Sequence, residues 1–152
     1  MPENYIGIMC GTSLDSLDLS LCDFEKNKKI KYFKSYRISQ FLRDKINECK
    51  NHPNGKKLFS ETDALTTEFI IESLRKFIAA SKTKKISAIG YPGITIIHNP
   101  KKKISKTLGN PAIIAKESGL RVVADFRLTD MKHGGQGAPL APYFHDYISS
   151  KG

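Results

Sequence analysis

Apolar positions fall two apart through the first forty or so residues and three or four apart through much of the next forty. Tyr5 to Met9 is a short apolar run that predicts a buried strand. It ends in a small, hydroxyl-bearing turn, Cys10-Gly11-Thr12-Ser13. Leu17, Leu19 and Leu21 then alternate with polar residues, which predicts a second strand over Asp18 to Phe24 with one buried face. Glu25 to Lys29 is a polar turn, and Ile30, Tyr32, Tyr36 and Ile38 predict a third strand. The period then changes. Residues 40 to 49 predict a short helix with Leu42, Ile46 and Cys49 inward, stopped by Asn51-His52-Pro53-Asn54-Gly55. Ser60-Glu61-Thr62-Asp63 reads as a capping box opening a longer helix, whose Leu65, Phe69, Leu74, Phe77 and Ile78 face the core.

Ile86 to Gly90 predicts a strand, broken by Tyr91-Pro92-Gly93 and followed by the apolar run Ile94 to His98. Asn99-Pro100 and three lysines form a loop. Asn110 as N-cap, Pro111 at the first helical position and Gly119 as stop define a further helix, with Ala112 to Ala115 facing the core. Arg121 to Phe126 holds a strand, and a Gly-rich loop opens a last helix at Pro139. The order β-β-β-α-α-β-α-β-α predicts an α/β fold with a mixed sheet flanked by helices. That pattern resembles the ribonuclease H-like lobe of the actin, Hsp70 and sugar kinase superfamily, where the first hairpin turn is a phosphate loop.

The chain has 152 residues, enough for one domain with a real core. No apolar run approaches the roughly 20 residues of a membrane helix, and no signal peptide is visible. Cys10, Cys22 and Cys49 lack CxxC spacing and fit free thiols in a reducing cytoplasm. The net charge of +10 comes mostly from loop lysines with few aromatics between them, so a solvated surface is expected in preference to a nucleic-acid interface. The charge would still draw in an anionic ligand.

Two stretches carry candidate chemistry. In the first, Gly11 allows close backbone approach, and the Thr12 and Ser13 hydroxyls can face anionic oxygens. Asp15 or Asp18 could hold Mg²⁺, which takes carboxylate and phosphate oxygens. An ordinary polar hairpin turn reads the same way. In the second, Gly134, Gly135 and Gly137 precede a predicted helix, a setting suited to anions, and Arg127 could clamp a carboxylate or phosphate. A Gly-rich connection with surface charges is the plainer alternative. Cys10 reads as a small buried thiol, and His98 as a strand-end residue.

These stretches are similar to the N-terminal part of the anhydro-N-acetylmuramic acid kinase family. Its G-x-M-S-G-T-S-x-D-G-x-D stretch stands here as Gly7 to Asp18. Its I-G-N-P-A stretch stands as Leu108 to Ala112. Its V-V-A-D-F-R, D and G-G-Q-G-A-P-L-x-P-x-F-H stretches stand as Val122 to Arg127, Asp130, and Gly134 to His145. The resemblance implies ATP-dependent opening and 6-phosphorylation of anhydro-N-acetylmuramic acid in peptidoglycan recycling. It implies that Gly11, Thr12, Ser13, Leu14, Asp15, Ser16, Leu17 and Asp18 meet ATP and Mg²⁺, with Asp15 nearest the metal. It implies that Arg127, Asp130, Gly135 and Gln136 face the sugar, whose lactyl carboxylate suits Arg127.

Cys10 and Ser16 replace the family's Ser and Gly, and Tyr91-Pro92-Gly93-Ile94-Thr95 replaces S-H-G-Q-T. Lys132-His133 replaces a pair of small residues. The D-C-G-P-G-N stretch that carries the family's catalytic carboxylate has no counterpart, so no catalytic residue is assigned. Residues 1–152 are therefore expected to form one N-terminal lobe, inactive alone. Its expected partners are a separate C-terminal lobe or a second copy of itself. The alternative is a degenerate, non-catalytic lobe that binds a partner.

Overall fold

The computed structural model describes residues 4–24, 29–83 and 85–149. The polar turn expected over Glu25 to Lys29 lies outside them except for Lys29, which opens a strand. Three strands come first: β1 (Asn4–Cys10), β2 (Ser16–Asp23) and β3 (Lys29–Arg37). Two helices follow, α1 (Gln40–Asn51) and α2 (Lys56–Ser81), then β4 (Ala88–Gly90). A hairpin, β5 (Ile94–Asn99) and β6 (Ile104–Leu108), precedes α3 (Pro111–Ser118) and β7 (Val122–Val123). The last elements are α4 (Phe126–Lys132) and α5 (Ala141–Ser149).

One sheet runs in the order β3-β2-β1-β4-β7. β1, β2 and β3 pair antiparallel, while β1, β4 and β7 run parallel. This is the mixed sheet expected from consecutive hairpins followed by β-α units. Ile6, Ile8, Leu17, Leu19, Leu21 and Ile89 form its inner face, packed on Ile70, Leu74 and Phe77 of α2 and Ile114 of α3. Each such side chain contributes about 1.5–3 kcal/mol by leaving water, so this layer fixes the sheet's orientation. A second cluster of Leu14, Ile38, Leu42, Ile46, Ile94 and Leu108 ties α1 and the β5–β6 hairpin to the first turn.

Several expectations are corrected. The register shifts between Leu21 and Cys22, so Leu21 faces Tyr32 but Cys22 faces Ile30. The extra residue swaps sides, because side chains alternate along a strand. Ile30 is therefore 61% exposed instead of joining Tyr32 and Tyr36 inward. The long helix begins at Lys56 with Gly55 as its cap. Ser60-Glu61-Thr62-Asp63 is thus no capping box, and Asp63 Oδ1 instead accepts a 2.7 Å hydrogen bond from Gly109 N. Asn110 and Gly119 cap α3 as expected, but Ile114 alone of Ala112 to Ala115 is fully buried. β6 and α4 carry no clear sequence signal, and α5 begins at Ala141 instead of Pro139.

The sheet's outer face carries Met9, Phe33 and Val123, all largely exposed. α5 approaches it through Phe144, whose ring meets Phe24 edge-on at 6.0 Å. A cavity of 1070 Å³ remains between them, lined by apolar groups including Tyr5, Phe24, Val123 and Phe126.

Candidate functional site

Strands β1, β4 and β7 point the same way, so their carboxyl ends share one edge of the sheet. Open α/β sheets bind ligands at that edge because loops diverge there and leave a crevice. Three connections leave it: the turn after Cys10, the Tyr91-Pro92-Gly93 segment and the entry into α4. Two non-glycine residues with left-handed backbone sit here, Leu14 at φ 58 and Asp125 at φ 58. Such conformations persist where surrounding packing imposes them. For Leu14 that packing is visible, since its side chain is 1% exposed in the second cluster.

Leu14 anchors the turn, and Leu14 N donates to Gly11 O at 3.1 Å. Gly11, Thr12 and Ser13 consequently project into solvent. A Cβ at Gly11 would meet only Ser13 Oγ, at 3.7 Å, so the backbone there is open to approach. Asp15 is exposed and pairs with Arg43 Nη1 at 3.3 Å. Ser16 Oγ donates to Asp18 Oδ1 at 2.8 Å. Leu17 is fully buried in the core, so Leu14 and Leu17 offer a ligand only their backbones. Asp15 and Asp18 suit Mg²⁺, which takes one or two carboxylates beside substrate phosphates. Among the described residues, no group of three or more His, Cys, Asp or Glu side chains could hold a metal without such help.

The second stretch wraps around Asp130. Gly135 N donates to Asp130 O at 2.9 Å, and Gly137 N donates to Asp130 Oδ2 at 2.7 Å. A side chain at Gly135 would collide with the Asp130 carboxylate. Arg127 Nη1 donates to Gly137 O at 2.9 Å. Arg127 and Asp130 thus spend polar groups on building the loop, while Gln136 and Gly135 are exposed. A cavity of 870 Å³ joins the two stretches, with Met9 and Asp18 on one side and Arg127 and Pro139 on the other. Of the predicted site residues Asp18 and Arg127 line it, whereas Gly11 to Leu17, Asp130, Gly135 and Gln136 do not.

Sequence reasoning passed over the supports behind this edge. Tyr91 is buried and donates from its hydroxyl to Leu108 O at 2.7 Å, and burial pushes its pKa far up. Ile94 is 4% exposed in the second cluster. The two positions therefore act as core, which accounts for their apolar and aromatic character. Asn110 N donates to Thr67 Oγ1 at 2.9 Å, tying the start of α3 to α2. Burial is the main cause that raises the Cys10 thiol to about 11, against a smaller lowering by Lys50. Cys10 is a protonated thiol at neutral pH, in line with a small packing residue and unlike a nucleophile.

A sequence model of the family described as Anhydro-N-acetylmuramic acid kinase matches residues 3–151. A protein of that name from Sulfurimonas denitrificans is 39% identical over 156 residues, covering 99% of this chain and 42% of the relative. Its namesake from Sulfurovum sp. is 39% identical and from Pseudomonas putida 34%, covering 96% and 97% of this chain. The chain spans about 42% of the length of the relatives it matches. The family lies in the sugar kinase and actin-like ATPase superfamily, and the mixed sheet flanked by helices agrees with that fold. A match over nearly every residue, on a sheet whose carboxyl edge gathers both motif stretches, makes this chain a member of the anhydro-N-acetylmuramic acid kinase family.

Proposed function

We propose that this chain is the N-terminal lobe of an ATP-dependent anhydro-N-acetylmuramic acid kinase and that it works with a complementary C-terminal lobe. The joined lobes would hydrolyse the 1,6-anhydro bond and phosphorylate O6 during cytoplasmic recycling of peptidoglycan. In this reading Gly11 to Asp18 face the ATP phosphates through backbone N–H groups and hydroxyls, with Asp15 toward Mg²⁺. Arg127, Asp130, Gly135 and Gln136 belong to the sugar side. The observation that carries the reading is the shared cavity, which has Asp18 on one wall and Arg127 on another. Phosphoryl transfer is governed by positioning and charge stabilisation across a cleft, so a single lobe should not turn over.

The test combines the purified chain with the C-terminal remainder of a related kinase, ATP, Mg²⁺ and the anhydro sugar. Phosphosugar should form in the mixture and not with the chain alone. No turnover in any such mixture would sink the reading.

A second reading is a non-catalytic lobe that binds a partner or a second copy of itself. It is favoured by Tyr91 and Ile94, core residues where the family motif has polar groups. Mg²⁺-dependent ATP binding by calorimetry would count against it. Concentration-dependent sedimentation would support self-association through the apolar outer face.

A further inference from the structure

His98 is the next-to-last residue of β5 in the separate hairpin, far along the chain from the Gly-rich loop, yet the two meet at Gly137. Gly137 is buried with φ 71. A Cβ there would lie 2.9 Å from His98 Cε1 and 3.0 Å from Arg127 O, so no side chain fits. Asp130 holds its N–H and Arg127 holds its carbonyl. The His98 ring closes the remaining side. Two polar atoms at this junction, His98 Nδ1 and Arg127 Nε, are buried without a hydrogen-bond partner. Buried polar atoms are usually paired, so this junction is packed by shape more than by hydrogen bonds from the His98 ring.

We propose that His98 is a positioning residue that, through Gly137, holds the loop so that Gln136 meets the neutral polar groups of the sugar. Gln136 follows the Asp130-held Gly135 and precedes the triply held Gly137, and it is exposed. Its side-chain amide can donate and accept at once, which matches sugar hydroxyls and an N-acetyl amide. Arg127 and Asp130, spent on Gly137, then act chiefly as supports. The Gln136 half of this inference rests on the kinase reading above; the His98 half does not.

The experiment uses the full chain as wild type, His98→Ala, His98→Phe and Gln136→Ala. Amide exchange at Gly135 and Gly137 is followed by NMR, and anhydro-N-acetylmuramic acid and MgATP are titrated separately into each chain mixed with the C-terminal remainder of a related kinase. His98→Ala should speed exchange at Gly137 about tenfold while leaving the sheet amides unchanged. It should weaken sugar binding about tenfold with MgATP binding unaltered. His98→Phe keeps a ring against Gly137 and should restore slow exchange. Gln136→Ala should weaken sugar binding as much without changing exchange. Exchange within twofold of wild type in His98→Ala, or no rescue by His98→Phe, overturns the positioning role. Unchanged sugar affinity in Gln136→Ala overturns the role of that side chain. A wild-type mixture that binds no sugar overturns the sugar-side reading and the Gln136 half together, while the exchange comparison still decides His98.

Discussion

The turn after β1 and the loop after α4 both carry glycines and both lie at the carboxyl edge of the sheet, but they use their polar groups in opposite ways. In the turn, Gly11, Thr12 and Ser13 stand in solvent, and the anchoring falls to the buried side chain of Leu14. In the loop, the conspicuous charged residues are turned inward, with Asp130 and Arg127 both bonded to Gly137. A polar group already bonded within the fold has less to offer a ligand, because the existing bond must first be broken. Proximity to a site and availability for binding are therefore separate properties. The turn has availability, and the loop has prebuilt shape.

That contrast can be broken most forcefully at Asp130. Asp130→Ala leaves the Gly137 amide buried and unpaired, and urea denaturation should show a loss of roughly 1–3 kcal/mol. A loss near zero would mean that the carboxylate is not a structural support. Arg127→Lys keeps the charge but lacks the planar fork, and should cost about 1 kcal/mol by the same measurement. The turn should behave differently. Thr12→Ala and Ser13→Ala should each stay within about 0.5 kcal/mol of wild-type stability, as exposed positions do. Their effect should appear in calorimetry as weaker MgATP binding, and unchanged affinity would remove the two hydroxyls from the phosphate site.

Cys10, at the root of the turn, should give the smallest effect. Burial holds its thiol at about 11 in the folded chain, above the ordinary value of 9.0. The folded state keeps this proton longer than the unfolded state. Its contribution to stability is therefore intact below pH 9 and is lost as pH rises through about 11. Mass spectrometry after iodoacetamide treatment at pH 8 should show Cys10 alkylated far more slowly than a thiol in an unfolded peptide. Rapid alkylation would reveal an open, reactive turn.

What the sequence determined by itself was local. Alternation of Leu17, Leu19 and Leu21 defines a half-buried strand, because side chains switch faces at every residue. Asn110, Pro111 and Gly119 mark the ends of α3 through caps that act within one helical turn. The order of these elements was enough for the fold class, and the two motif stretches were enough for the family. Neither period nor cap could disclose β6, whose Ser105, Lys106 and Thr107 become a strand only by pairing with β5. The same holds for α4, which starts from a left-handed Asp125 without a side-chain cap. Only the tertiary structure decided that Leu14 turns inward, that Tyr91 bonds Leu108, and that Asp130 and Arg127 close on Gly137. Periods and caps report interactions between near neighbours in the chain. Whether a polar group is spent or left free depends on which partners the fold brings to it.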